Sequence, residues 1–437
     1  MNKNNQKLNL FVQSLGCPKN TVDTELMLGF LEKTGNVSLT NNAEDSDVML
    51  INTCGFITPA IEESLDAIME AVQIKKRFKN KKIVVAGCLY ERYKEELKQQ
   101  IPEVDSFVGV YELESVVKKI LHKDAVFDEG YKLRKLLTPN HIGYLKIAEG
   151  CSNGCSFCAI PLIKGGFKDK PMDEIIREAQ SLSAKGVKEL YIIAQDTTAY
   201  MLHNNKKNRL VELLRQIEKI DGIEWIRIMY TYPPHIDDEL IDFIADSKKV
   251  LNYIDVPFQH ISSKILQDMN RGYDRQTVED LVKKLKSKNI TIRSTFIVGF
   301  PTETEDDFEE LKTFIKKSKI DWVGFFKYYH EENTKSYNLK DLDDDIKSER
   351  LAEIELLQKN IYNNINKQFI GKRIKVIIDK ESDEMPGYFE ARSYRNAFEI
   401  DGLIFVKSNK LSIGKFAEVK IIDIVNDTDL MSEEIET

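Results

Sequence analysis

Residues 144–165 read YLKIAEGCSNGCSFCAIPLIKG. An apolar run with strand character, YLKIAE (144–149), leads directly into Cys151, Cys155 and Cys158, spaced C-x3-C-x2-C. One loop with that spacing can wrap three corners of an iron–sulfur cubane, because thiolates are the usual ligands of such clusters. A cubane has four irons, so three cysteines leave one iron without a protein ligand. An open coordination position is a catalytic arrangement, as it is at zinc centres. A zinc site short of its fourth ligand is the competing interpretation.

The pattern around this loop is that of alternating strands and helices. Further apolar runs follow at ELYIIAQ (189–195), WIRIMY (225–230), YIDVPF (253–258), ITIRSTFIV (290–298) and WVGFFKYY (322–329). Helical periodicity separates them at 172–185, 208–220, 236–246, 274–288 and 303–317. Six such units predict an open, partial (βα)6 barrel of TIM-like type within an α/β protein. The cysteine loop follows the first strand, which places it at the C-terminal mouth, where barrel active sites form. S-adenosylmethionine (SAM) can fill the open iron through its amino and carboxylate groups, and an electron from the cluster then breaks its C–S bond.

This spacing, with Phe157 before the last cysteine, resembles the radical-SAM superfamily. The resemblance implies SAM contacts at the ends of later strands. Gln195 and Asp196 follow strand two, and Arg227, Tyr230 and Tyr232 follow strand three in RIMYTYPP. Pro257, Gln259 and His260 follow strand four; Gly299, Phe300, Pro301 and Glu303 follow strand five. Gln195, Arg227, Gln259, Gly299 and Glu303 are the expected SAM-binding set. Singly each has a plainer explanation: Thr302 and Glu305 suit an N-cap, and His260 suits a structural hydrogen bond.

Upstream, LNLFVQS (8–14), DVMLIN (47–52) and KIVVAG (82–87) read as buried strands, with helices at 20–33 and 59–76 between them. Strands of a parallel sheet end on one edge, and ligands bind just beyond it. Cys17, Cys54 and Cys88 each follow one of these strands, so their thiols are expected to converge as a second cluster site. Gly16, Gly55 and Gly87 adjoin them, and residues without Cβ let backbone N–H groups approach the sulfurs. Again one iron stays open. One cluster can then generate a radical while the other holds an exchangeable sulfur ligand.

Downstream, a charged helix (343–367) gives way to RIKVIID, GYFEARSY, GLIFVK and FAEVKIIDIV, short β-runs with glycine turns. They predict a small all-β barrel, followed by an acidic tail, MSEEIET, expected to fray. The chain has 437 residues, 42% hydrophobic and 31% charged, and a formal net charge of −8. No apolar run reaches the roughly 18 residues of a membrane span, and MNKNNQKLNLFVQS has no signal-peptide core. A cytoplasmic protein with six clustered thiols suggests metal or redox chemistry, not disulfides. The acidic balance argues against a protein that grips nucleic acid by neutralising phosphates.

Taken whole, the chain resembles the methylthiotransferases, on the strength of QSLGCPKNTVDTE (13–25), INTCGFI, AGCL, AEGCSNGCSFCAIP, IAQDTTAY and EARSYRNAFEIDG. The resemblance implies an N-terminal three-cysteine domain (7–125), a radical-SAM core (137–367) and a TRAM barrel (368–437). It implies two 4Fe–4S clusters and two SAM: one methylates a sulfide on the N-terminal cluster, and the other yields a 5′-deoxyadenosyl radical. The branch with Pro-Lys after the first cysteine, as in Pro18 and Lys19, modifies the β-carbon of an aspartate in small-subunit ribosomal protein S-twelve. The alternative branch, tRNA adenosine methylthiotransferases, has a glutamine–methionine pair there. Residues 368–437 carry ten Lys/Arg and fourteen Asp/Glu, a net −4, which suits a basic protein partner better than RNA. A monomer is expected, its sulfur and electron donors not identified by the sequence, with the C-terminal barrel dispensable for SAM cleavage. Gly166 stands where the family has arginine, and Asn396 and Phe398 where Asp and Pro are usual.

Overall fold

The computed structural model describes residues 7–35, 37–127, 130–202 and 208–435. Five strands, β1 (Leu8–Ser14), β2 (Val37–Thr40), β3 (Val48–Thr53), β4 (Lys82–Gly87) and β5 (Ser106–Val108), form an all-parallel sheet in the order β2-β1-β3-β4-β5. Period-2 alternation sends Leu10, Leu50 and Val84 to one face and Met49, Ile51, Ile83 and Val85 to the other. Both faces are covered by helices, so β3 is buried along its whole length and reads as one apolar run. Helices Pro18–Lys33, Thr58–Arg77 and Cys88–Gln100 each begin within a few residues of a cysteine. β2 and β5 were not foreseen from the sequence; they are edge strands of four and three residues. Helix Cys88–Gln100 was also missed, because CLYERYKEELKQQ buries only Cys88, Leu89 and Leu97.

The central unit contains β6 (Ile142–Lys146), the short antiparallel pair β7 (Ala148–Glu149) and β8 (Lys168–Asp169), and then β9 (Glu189–Ile193), β10 (Trp225–Ile228), β11 (Val250–Asp255), β12 (Thr291–Val298) and β13 (Trp322–Lys327). The larger sheet has six parallel strands in the order β13-β12-β11-β10-β9-β6. Consecutive pairing with a helix at each crossover gives the expected (βα)6 arrangement. β11 begins and ends three residues before the expected 253–258. Pro257 has no N–H to give to a ladder, and pairing resumes only at the isolated bridge Gln259–Phe296. The helix after β12 is capped two residues later than expected. Thr304, not Thr302, is the N-cap, in a capping box with Asp307.

Helix Asp344–Lys367 packs on β13 and then reaches a closed C-terminal barrel. Its strands are β14 (Arg373–Glu381), β15 (Tyr388–Ser393), β16 (Ile404–Lys407), β17 (Phe416–Ile424) and β18 (Leu430–Glu434), in the order β14-β15-β16-β18-β17. β18 corrects the expectation of a frayed tail: it pairs with both β16 and β17 and closes the barrel. Leu430 and Ser432 point inward while Glu433 is exposed, so the acidic side chains do not oppose burial. The last two residues of the tail lie outside the described residues. Among the described residues no helix is long and apolar enough to cross a membrane.

The C-terminal barrel is joined to the central one by buried charges. Arg392 is fully buried, with Nε 2.6 Å from Asp379 Oδ2 in its own barrel and Nη1 2.7 Å from Glu189 Oε2 in β9. It also donates to the Tyr191 hydroxyl at 2.8 Å. Arg227 of β10 donates to the Tyr394 carbonyl at 2.8 Å and pairs with Glu189. Removing residues 370–437 would strip Glu189 and Arg227 of these partners, so the deletion is expected to cost stability as well as the charge offered to a partner. Arg392→Met should destabilise the protein by about 3–5 kcal/mol, the usual result of orphaning buried charges. Thermal unfolding of R392M against the parent protein measures this.

Candidate functional site at the meeting of two cysteine triads

β1, β3 and β4 end on one edge, and the turns after them carry Cys17, Cys54 and Cys88. Asn20, in the first turn of helix Pro18–Lys33, ties these turns together. Its Nδ2 donates to the Leu15 and Thr53 carbonyls, both at 3.0 Å, and its Oδ1 accepts from Cys88 Sγ at 3.4 Å. The glycines serve a closer purpose than the expected exposure of backbone N–H groups. A Cβ on Gly16 would lie 2.7 Å from Cys54 Cβ, and one on Gly87 would lie 2.2 Å from Asn52 Oδ1. Gly87 also has φ +96°, a conformation that L residues rarely adopt. Missing side chains let the three turns pack onto one another.

The second triad lies on the loop after β7. The loop is held by contacts that do not involve its thiols. Ser156 donates to the Asp268 and Met269 carbonyls at 2.8 and 2.9 Å. Asn153 Nδ2 donates to Asp196 Oδ2 at 2.8 Å. Burial by itself would raise the Asp196 carboxyl, but hydrogen bonds from His235, Asn153 and Thr198 hold it below its ordinary value. Arg271 Nη1 lies 3.1 Å from Cys155 Sγ.

All six cysteines line a single cavity of about 310 Å³. Burial pushes the thiols of Cys54 and Cys151 up to about 11 and those of Cys88 and Cys158 up to about 12. Such thiols give up their protons to a metal centre that supplies the missing positive charge. The donor set fits two iron–sulfur clusters: three thiols on each side, with the Arg271 guanidinium against one of them. It also fits SAM, because buried Gln195 Oε1 has no hydrogen-bond partner.

Of the expected SAM set, Gln195 and Gln259 line the cavity, as do Tyr230, Tyr232 and Pro257. Gln259 and Tyr230 have φ of 71° and 58°, and backbone strain of this kind in non-glycine residues gathers at functional sites. The other three do not line it. Arg227 is committed beneath the barrel, as described above. Gly299 packs against helix Asp344–Lys367, where a Cβ would meet Lys347 Cγ at 2.2 Å. Glu303 is 2.7 Å from Arg350 of that helix and accepts from the Gly299 N–H at 3.0 Å. His260 is fully buried, and its Nδ1 accepts from the Ser262 N–H at 3.0 Å, a structural role.

Sequence reasoning missed Lys19, Asn153, Lys164 and Arg271 in the cavity wall. Lys19 and Asn153 adjoin cysteines and so carried a signal. Lys164 and Arg271 come from elements whose direction the sequence does not reveal. Lys164 lies 3.4 Å from both Asp23 and Glu149, and Lys146 pairs with the same two carboxylates. Burial opposes ionisation of Glu149, but the two ammonium groups hold its carboxyl at about 2. Glu149 also accepts a hydrogen bond from Gln195 Nε2, which orients that amide.

Three family models match the chain: the Radical SAM superfamily over residues 145–315, Uncharacterized protein family UPF0004 over 9–109, and the TRAM domain over 370–435. Ribosomal protein uS12 methylthiotransferase RimO of a Sulfurihydrogenibium species is 46% identical over 439 residues, covering 98% of this chain and 99% of that protein. The protein of the same name from Aquifex aeolicus is 43% identical, covering 97% of each chain. Among solved structures, the radical SAM methyltransferase TsrM from Kitasatospora setae aligns with a TM-score of 0.56, covering 76% of this chain and 77% of that one. At 14% identity that likeness speaks for the fold alone.

Proposed function

The chain belongs to the RimO family of ribosomal protein uS12 methylthiotransferases, and from that premise we propose a site-by-site account of the reaction. The enzyme places a methylthio group on the β-carbon of an aspartate in uS12, the small-subunit protein S-twelve. It uses two SAM and two 4Fe–4S clusters, one on Cys151, Cys155 and Cys158 and the other on Cys17, Cys54 and Cys88. It acts as a cytoplasmic monomer built from units at 7–125, 137–367 and 368–437, supplied by separate sulfur and electron donors. The observation that carries this account is the single cavity lined by all six cysteines.

When bound, the clusters supply an electron for SAM cleavage and a position for exchangeable sulfur. The protein's own residues do the rest by placement. Gln195, oriented by Glu149, presents an unpaired amide oxygen to hydrogen-bond donors of SAM. Arg271, with Nη2 2.9 Å from the Pro257 carbonyl, fixes the strand-four turn that carries Gln259. Phe157, Ile160 and Ile163 keep one wall apolar and limit water around a reactive intermediate. Outside the cavity, the net −4 of residues 368–437 favours encounter with a basic protein.

The test is anaerobic incubation of the reconstituted enzyme with SAM, sulfide and reductant, offering uS12 and bulk tRNA side by side. Methylthio transfer to uS12 alone is expected, with uS12 binding that weakens as salt rises. Transfer to tRNA, with tight tRNA binding and a steep salt slope, would overturn the substrate assignment.

A further inference from the structure

Three cationic side chains line the cavity, and two are already matched. Lys164 has the carboxylates of Asp23 and Glu149, both at 3.4 Å. Arg271 is spent on Cys155 Sγ, the Pro257 carbonyl and the Tyr273 hydroxyl. Lys19 is different. Its side chain is buried, at 8% exposure, and among the described residues no carboxylate pairs with it. Its Nζ has the Ala194 carbonyl at 3.4 Å and lies 3.5 Å above the centre of the Tyr230 ring. The thiolates of Cys17 and Cys54 lend this ammonium long-range compensation when a cluster is held there, but they leave its hydrogen-bonding positions toward the cavity for an anionic group that enters it.

Its position limits what that anion is. Lys19 follows Cys17 by two residues, and its Nζ reaches across to Ala194 and Tyr230 of the central barrel. The ammonium therefore stands between the triads. The acceptor carbon must be reached from both triads, so the substrate side chain has to enter this same space. An aspartate carboxylate is one bond from its β-carbon. A cation that grips the carboxylate therefore fixes the carbon that reacts. Resting on the substrate assignment above, we propose that Lys19 binds the carboxylate of the uS12 aspartate and is the specificity-determining residue for that side chain. The carboxylate of SAM has the same chemistry and is the other source the test must separate.

The test measures binding of two synthetic uS12 peptides to the reconstituted holoenzyme under anaerobic conditions, one with aspartate at the modified position and one with asparagine. The parent enzyme should bind the aspartate peptide about tenfold to a hundredfold more tightly, as a charge-assisted hydrogen bond allows. K19M should bind both at the weaker level with its iron content and SAM affinity unaltered, and K19R should keep most of the preference. Equal binding of the two peptides by the parent enzyme overturns the proposal, whether or not K19M assembles. A K19M enzyme with weakened SAM binding and an intact peptide preference assigns Lys19 to the SAM carboxylate and also overturns it. Failure of intact uS12 to accept a methylthio group would instead overturn the substrate assignment, and the two failures are separately visible.

Discussion

Changing Cys151, Cys155 and Cys158 together to alanine is expected to abolish SAM cleavage and to lower iron from about eight to about four per chain. The fold should survive. The loop is anchored by Ser156 on the 268–269 carbonyls, by Asn153 on Asp196 and by the Cys151 N–H on the Gly165 carbonyl at 3.1 Å. None of these contacts uses a thiol. With the three thiols gone, nothing in the loop can hold the cluster from which SAM takes its electron. The measurements are iron content and 5′-deoxyadenosine released after reduction. Release from the triple variant would show that the reaction is started elsewhere.

The matching change of Cys17, Cys54 and Cys88 to alanine should also leave about four irons, but with the opposite functional result. Reductive SAM cleavage should persist while methylthio transfer to uS12 is lost. The scaffold of this triad loses only the long Cys88 Sγ contact to Asn20 Oδ1 at 3.4 Å. Asn20 bridges the Leu15 and Thr53 carbonyls, and the Cys54 N–H donates to Ser64 Oγ at 2.9 Å. Gln195 and Gln259, which face SAM in this account, are carried by the barrel and stay in place. Both triads share one cavity, so a modest change in cleavage rate is compatible with divided roles. Complete loss of cleavage with the barrel cluster intact is not.

Much of this arrangement is legible in the sequence because strand ends and cysteines coincide. Three apolar runs each stop one to three residues before a cysteine, and parallel pairing then forces the thiols to one edge. The C-x3-C-x2-C loop needs no tertiary knowledge at all. Side chains placed by long-range packing were less legible. Arg227 sits in a strand flanked by plausible site residues, yet its side chain is taken by Glu189 and by the C-terminal barrel, a partner about 165 residues further along the chain. Gly299 and Glu303 are claimed in the same way by helix Asp344–Lys367. Gln195 and Gln259 reach the cavity because each lies just beyond a strand's last ladder residues, at the end of the sheet where the cysteine loop also sits. β18 was hidden by its composition: LMSEE is strand-like only in its alternation of inward and outward positions.

The same limit applies to the C-terminal barrel. Its net charge is a property of composition and was readable at once. Its attachment was not, because Arg392, Asp379, Glu189 and His141 come together from three separate stretches of chain. His141 Nε2 lies 2.9 Å from Asp379 Oδ1, which extends the buried network along the seam. The barrel thus contributes to the stability of the catalytic unit as well as to the charge seen by a partner.

The central claim is that the two triads act on one uS12 side chain held in the cavity between them. The most direct measurement is the mass of uS12 isolated from cells with this gene intact and with it deleted, with fragmentation to locate any added group. One methylthio group on a single aspartate is expected when the gene is present and none when it is absent. An unmodified uS12 in both, or a modification that survives deletion, would contradict it.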